Sequence, residues 1–198
     1  MSLLPSQRRG GLLRPFLVIY VIIGLLLVAV IAWGYNSLTR MRNVVSNAWA
    51  DIDVQLKRRA ELIPNLVETT KGYSSFEREV LEDVTTARAQ TTDAGLGPGA
   101  KAAADDKLAS RVNQIMAVVE NYPELKASAN FLRLQDELGK TETTLASARQ
   151  YYNAAVRDFN TMQSQFPLGL LASIFGFHKS EFFSVDTEGE RQAPSARF

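Results

Sequence analysis

Residues 131–166 read FLRLQDELGKTETTLASARQYYNAAVRDFNTMQSQF. Within this stretch Phe131, Leu134, Leu138, Thr141, Leu145, Ala148, Tyr152, Ala155, Phe159, Met162 and Phe166 recur at alternating spacings of three and four. That spacing is the period of an α-helix with one face turned to a partner, because positions three and four apart stack on the same side of the helix. Thr141 is the single non-aromatic polar member of the seam. Gly139 lies off it, and Pro167 supplies a stop.

The same period extends towards the N-terminus. Met41, Val45, Ala48, Ile52 and Leu56 share a face, with Trp49 beside it. No proline falls between Phe16 and Arg59, so one helix is expected to run through that whole region. Pro64 predicts a break and a restart, since proline is tolerated in a first helical turn and costly inside a helix. From there Val67, Thr70, Ser74, Glu77, Leu81 and Val84 follow one path, with Leu66, Tyr73 and Val80 alongside. DAGLGPG at 93–99 cannot sustain a helix and reads as a loop. Leu108, Val112, Ile115 and Val119 then trace another apolar stripe, closed by Tyr122-Pro123. No stretch alternates with period two over a strand's length, although Phe182, Phe183 and Val185 suggest a short extended piece. The expected fold is all-α, an antiparallel up-and-down bundle with helices at about 34–60, 64–92, 101–121 and 127–166.

Ahead of the bundle lies FLVIYVIIGLLLVAVIAW, residues 16–33, with no charge in it. Eighteen helical residues rise about 27 Å, close to the hydrocarbon thickness of a bilayer. This predicts a transmembrane helix whose partner is the lipid bilayer, with Trp33 and Tyr35 at its interface. A cleaved signal peptide is the rival reading, but bulky Trp33 follows the only cleavage-like triplet, Val30-Ile31-Ala32. Residues 1–15 form a basic tail with Arg8, Arg9 and Arg14, while Arg40 and Arg42 flank the other side. Basic segments resist translocation, which favours a cytoplasmic N-terminus and a bundle, residues 34–187, outside the cytoplasm. Three against two is a narrow margin, and the opposite orientation stays open. Residues 188–198 are polar and expected to be a flexible tail.

Composition excludes whole classes of chemistry. The chain has no cysteine and one histidine, so it offers no thiol nucleophile, cysteine-ligated metal or intrachain pair of imidazoles. Removing the three tail arginines from 22 basic side chains leaves 19 against 21 acidic ones, an ordinary solvated surface with no stripe for nucleic acid. Asp51 and Asp53 point to different faces of a helix and do not form an acid–base pair. Asp105-Asp106, near a helix start, are accounted for by the helix macrodipole. His178 is expected at the surface. No catalytic, cofactor-binding or metal-binding residue is identified, and the chain is not expected to be an enzyme.

Ten polar residues lie near the seams: Asn43, Asp53, Arg59, Asn65, Glu68, Arg88, Glu142, Arg149, Asn153 and Asn160. They are expected to set helix register through hydrogen bonds and ion pairs, with a polar groove for a partner peptide as the alternative. Residues 168–177, LGLLASIFGF, form a second apolar patch, too short to cross a bilayer. It is expected to fold back on the bundle or to rest on a membrane or partner. The long seam suits intramolecular packing and self-association alike, so a homo-oligomer is a further expectation.

AWADIDVQLKRRAELIPNLVETTKGY at 48–73, NYPELKASANFLRLQDELGKTET at 121–143 and ARQYYNAAVRDFN at 148–160 closely resemble proteins of the LemA family. Tyr35-Asn36, Arg42-Asn43 and the segment Pro167–Phe177 fit as well, so the resemblance covers nearly everything from Tyr35 onward. It implies a bacterial plasma-membrane protein with one N-terminal span and a helical-bundle domain. It implies no catalytic residue and no cofactor. The anchor, the long heptad helix and the lack of a catalytic constellation lead to the expectation of an interaction or scaffold protein; the alternative is an adaptor or regulator of a membrane enzyme, such as the proteases of envelope stress to which some members of the family look linked.

Overall fold

The computed structural model describes residues 13–71 and 78–184. Six helices account for most of them: α1 (Leu13–Lys71), α2 (Arg78–Thr91), α3 (Pro98–Val119), α4 (Pro123–Lys126), α5 (Ala129–Met162) and α6 (Leu168–Ile174). No strand occurs among the described residues, so the chain is all-α.

α1 has 59 residues and would be about 90 Å long. Every side chain from Phe16 to Val30 is exposed, and among the described residues this is the one helix long and apolar enough to cross a membrane. From Gly34 onward the same helix carries buried positions at Leu38, Val45, Ala48, Ile52 and Leu56. The expected break at Pro64 does not occur, and α1 runs through it to Lys71. A proline cannot donate to the carbonyl four residues back, which here is Ala60. Arg88 Nε supplies that hydrogen bond instead, at 2.7 Å.

The expected helix over 64–92 is likewise not one helix. Its first turns belong to α1 and its last to α2, and the Arg88–Ala60 contact brings α2 back alongside α1. Tyr73, Ser74 and Glu77 of the predicted path lie outside the described residues, as do the basic tail through Leu12 and everything after Ser184.

Directions follow from paired contacts. Asp53 meets Lys101 and Arg59 meets Asp105, so α1 and α3 run parallel. Moving back along α1 from Arg59 to Trp49 moves forward along α5 from Glu142 to Tyr152, so these two are antiparallel. α2 and α3 form a hairpin around residues 92–97. The result is the up-and-down bundle the periodicity predicts.

The apolar interior is in two parts. One joins Leu38–Leu56 of α1 to Leu145–Phe159 of α5, α6 and Phe183. The other joins Leu62–Val67 to α2, the later turns of α3, Leu125 and Phe131–Leu138. α5 starts on a Ser128 cap, whose hydroxyl accepts from the Phe131 amide, a group that otherwise has no partner in a first turn. Of the predicted seam, Phe131 through Phe159 is buried except for half-buried Ala148, while Phe166 is 89% exposed. The reason is that α5 ends at Met162, so Phe166 sits in the turn that follows and no longer on the helix face.

Candidate functional site

Three helices change from one apolar cluster to the other at the same level, and there they carry charge. On α1 the change falls at Arg59, on α3 at Asp105 and on α5 at Thr141–Glu142. Asp105 is fully buried. It accepts from Arg59 Nη1 at 3.2 Å and from Arg149 Nη2, while Arg59 Nη2 pairs with Glu142 at 2.7 Å. Burial pushes the Asp105 carboxyl above its ordinary range; the guanidiniums of Arg59 and Arg149 oppose that push. A lone buried carboxylate would be strongly disfavoured, so its two arginines are the condition for placing it there.

Nearly two turns towards the apolar end of α1, Asp53 receives Lys101 Nζ and, at 2.7 Å, Lys57 Nζ. Those two ammonium groups, Lys101 foremost, hold Asp53 below the usual carboxylate range against a smaller opposing effect of burial. Lys101 is itself buried and lies 5.6 Å from the Trp49 ring centroid. Its ammonium thus lies over the Trp49 ring within cation–π range while it pairs with Asp53. Asp51 is exposed and takes no part, as the helix geometry predicts.

The second polar device is on α5. Asn153 Nδ2 donates to the Phe183 carbonyl at 3.1 Å and its Oδ1 accepts the Phe183 amide at 2.9 Å. Asn160 does the same with Ser180, both bonds at 2.9 Å. Seven residues of helix and three of extended chain both span about 10 Å, so the two asparagines match the strand's repeat. Tyr152 Oη adds a bond to the Glu181 carbonyl at 2.8 Å, and its hydroxyl is pushed up to about 12 by burial and by Glu181. The extended segment thereby lays buried Phe183 against Trp49, ring centroids 6.1 Å apart. Phe182 is exposed, while Val185, the third residue of the extended piece expected there, lies outside the described residues.

A third polar feature is an open groove of about 600 Å³ at the far end of the bundle. Asn65, Glu68 and Thr69 of α1 face Asn130, Arg133 and Glu137 of α5 across it.

The ten polar residues singled out in the sequence therefore divide. Asp53, Arg59, Glu142 and Arg149 belong to the ionic layer, Arg88 completes α1, and Asn153 and Asn160 clamp the C-terminal segment. Asn65 and Glu68 line the groove, and Asn43 stays exposed. His178 is exposed, with its backbone carbonyl accepting from Gln163 at 3.3 Å. Asp105 corrects the reading of a solvated residue favouring a helix dipole, since it is the centre of the layer. The missed indication is the path Lys101, Asp105, Leu108, Val112, Ile115, Val119, which keeps the core spacing of four and three. Both charges sit on the buried face of α3. Asp105 lies wholly buried at the centre of this layer, while Arg149 and Glu142 bring its edge out to the surface. Among the described residues no group of three His, Asp or Glu is placed to hold a metal ion.

Comparison with known proteins agrees with the words read in the sequence. Magnetosome protein MamQ 2 of Paramagnetospirillum magneticum is 25% identical over 94% of this chain and 78% of its own length. Magnetosome protein MamQ of Magnetospirillum gryphiswaldense is 23% identical over the same shares. Protein LemA of Metamycoplasma hominis is 25% identical over 77% of this chain and 73% of its own. The LemA family model matches residues 48–198, from the middle of α1 onward, and on that match the chain belongs to the LemA family.

Proposed function

We propose that this chain is a single-pass, membrane-anchored scaffold that works by holding partners rather than by catalysis. The observation that carries the reading is α1. One helix begins as a fully exposed apolar segment and continues, without interruption, as a helix of the bundle with one face buried. Such a continuous helix transmits the position of the anchor directly to the bundle, which suits a device for presenting a surface at a fixed height above a membrane. Relatives named as magnetosome proteins support placing it in a bacterial membrane. The charge flanks favour the plasma membrane with the N-terminus in the cytoplasm and the bundle outside.

The groove between Glu68 and Arg133 is the surface we assign to a protein partner. It carries both charge signs and amide groups at the end of the bundle farthest from the apolar segment. A regulator of a membrane enzyme such as a protease would use the same surface, and the partner's identity separates this reading from a self-assembling scaffold.

In-cell crosslinking of the tagged full-length chain, followed by capture from solubilised membranes, tests the proposal. A ladder of self-crosslinks or one reproducible membrane partner is expected, weakened by Glu68→Lys and lost on deletion of residues 1–33. A monomer with no crosslinked species would contradict it.

A further inference from the structure

α6 places one apolar face against the bundle and leaves another bare. Leu168, Leu171 and Ala172 are buried, whereas Leu170 and Ile174, one turn apart, are 60% and 66% exposed. Half-exposed Phe175 continues the bare surface and stands edge-on to Tyr35, ring centroids 5.1 Å apart. A contiguous apolar surface of this kind requires an occupant.

Two observations say what covers it. The first is position. α6 packs at Gly34, where an added Cβ would overlap Leu171 and stand 3.2 Å from Leu168 Cδ2. Ile31, still inside the apolar run of α1, packs into the same cluster. The bare face of α6 therefore lies level with the last turn of the segment that is long and apolar enough to span a bilayer. The second is charge. No acidic residue occurs between Phe16 and Ala50 or between Phe159 and Ser180; the acids that flank these stretches are Asp51, Asp158 and Glu181. Exposed Arg40, Arg42 and Lys179 lie at this end, with Arg42 6.0 Å from the Phe177 ring centroid. Apolar side chains with a basic fringe and no acid are what the surface of an anionic bilayer binds.

We infer that α6 and the turn after it form a lip that dips into the headgroup boundary of the same bilayer that α1 crosses. Leu170, Ile174 and Phe175 enter the acyl edge, and Arg42 and Lys179 meet anionic headgroups. The bundle then touches the membrane at two places, which fixes its tilt as a single helix could not. The inference rests on the anchored reading above.

The chain has no cysteine, so single cysteines at Leu26, Thr143 and Ile174 can each carry an environment-sensitive fluorophore. The labelled full chains are reconstituted in vesicles of phosphatidylcholine and phosphatidylglycerol containing spin-labelled lipid. A blue shift and loss of emission at position 174, as at position 26, with neither at position 143, is the expected result. Quenching at 26 without quenching at 174 overturns the lip and leaves the anchor standing. A blue shift at 174 that lipid quenchers do not touch also overturns it, because protein then covers the patch. No quenching at 26 removes the anchored reading and the lip with it.

Discussion

Arg88 Nε donates to the Ala60 carbonyl at 2.7 Å, and Ala60 is the group that Pro64 leaves without its helical donor. A side chain from α2 thus repairs α1 at the point where the backbone cannot. Losing a hydrogen bond from a charged donor to a carbonyl in this part-buried place should cost about 2 kcal/mol. Arg88→Ala should therefore destabilise the fold by about that amount. In a Pro64→Ala background the amide at 64 can serve Ala60 itself, and the same Arg88→Ala change should cost well under half as much. Denaturant unfolding of the four chains checks this, and strictly additive effects would contradict it.

The ionic layer makes a different prediction. Asp105→Ala removes the carboxylate shared by Arg59 and Arg149 and leaves Arg59 buried against the single acid Glu142. Breaking a buried network on one side costs about 3–5 kcal/mol. The triple change Arg59→Met, Asp105→Leu, Arg149→Leu removes the charges together and should recover most of that loss. If register depends on the layer, the triple variant will be stable yet lose dispersion in its amide spectrum.

The fold was largely legible because burial repeats every three or four residues along helices. Leu138, Leu145 and Phe159 sit in the core where the seam puts them. What escaped was tertiary. Pro64 carries a local penalty that a distant arginine offsets, and no local rule contains Arg88. Asp105 has the spacing of a core residue and the chemistry of a surface one; its partners lie 46 and 44 residues away. The asparagine pair is legible as polar and near the seam, but its mate is a C-terminal segment whose backbone, not its side chains, is bound.

That backbone recognition gives a local test. Asn160→Ala removes both bonds to Ser180 while the core beneath remains packed. Amide exchange at Ser180 should accelerate at least tenfold, corresponding to about 1.4 kcal/mol of lost local protection, with little change at Leu145. Asn160→Asp keeps an acceptor for the Ser180 amide and loses only the donor, so its effect should be intermediate.

Stability should also fall in acid through Asp53. Lys101 and Lys57 hold its carboxyl below the ordinary 3.8. A carboxylate depressed on folding contributes its full stabilisation above that ordinary value and loses it as pH falls through the lower folded value. Asp105 has the opposite sign, since burial raises it and acidification relieves the cost of its charge. Asp53→Asn should therefore flatten the acid side of the stability profile below 3.8, whereas an unchanged slope would show that the Lys101 contact contributes nothing.

The close approach at Gly34 can be tested by size. Gly34→Leu puts a branched side chain where Leu171 and Leu168 already lie, so α6 must move off α1. Overpacking of this kind costs about 1–3 kcal/mol. Exchange protection should fall in α6 and persist at Leu108 and Ile115 in the far cluster.

The anchor and the side of the membrane on which the bundle lies both turn on the accessibility of single cysteines, in living cells, to a maleimide that cannot cross the plasma membrane. A cysteine at Leu26 should stay unlabelled until detergent is added, and one at Glu124, at the far end of the bundle, should be labelled whenever the reagent reaches the outer face of that membrane. Ready labelling at Leu26 would contradict the membrane anchor, and labelling at Glu124 only after the membrane is breached would contradict the orientation proposed for the bundle.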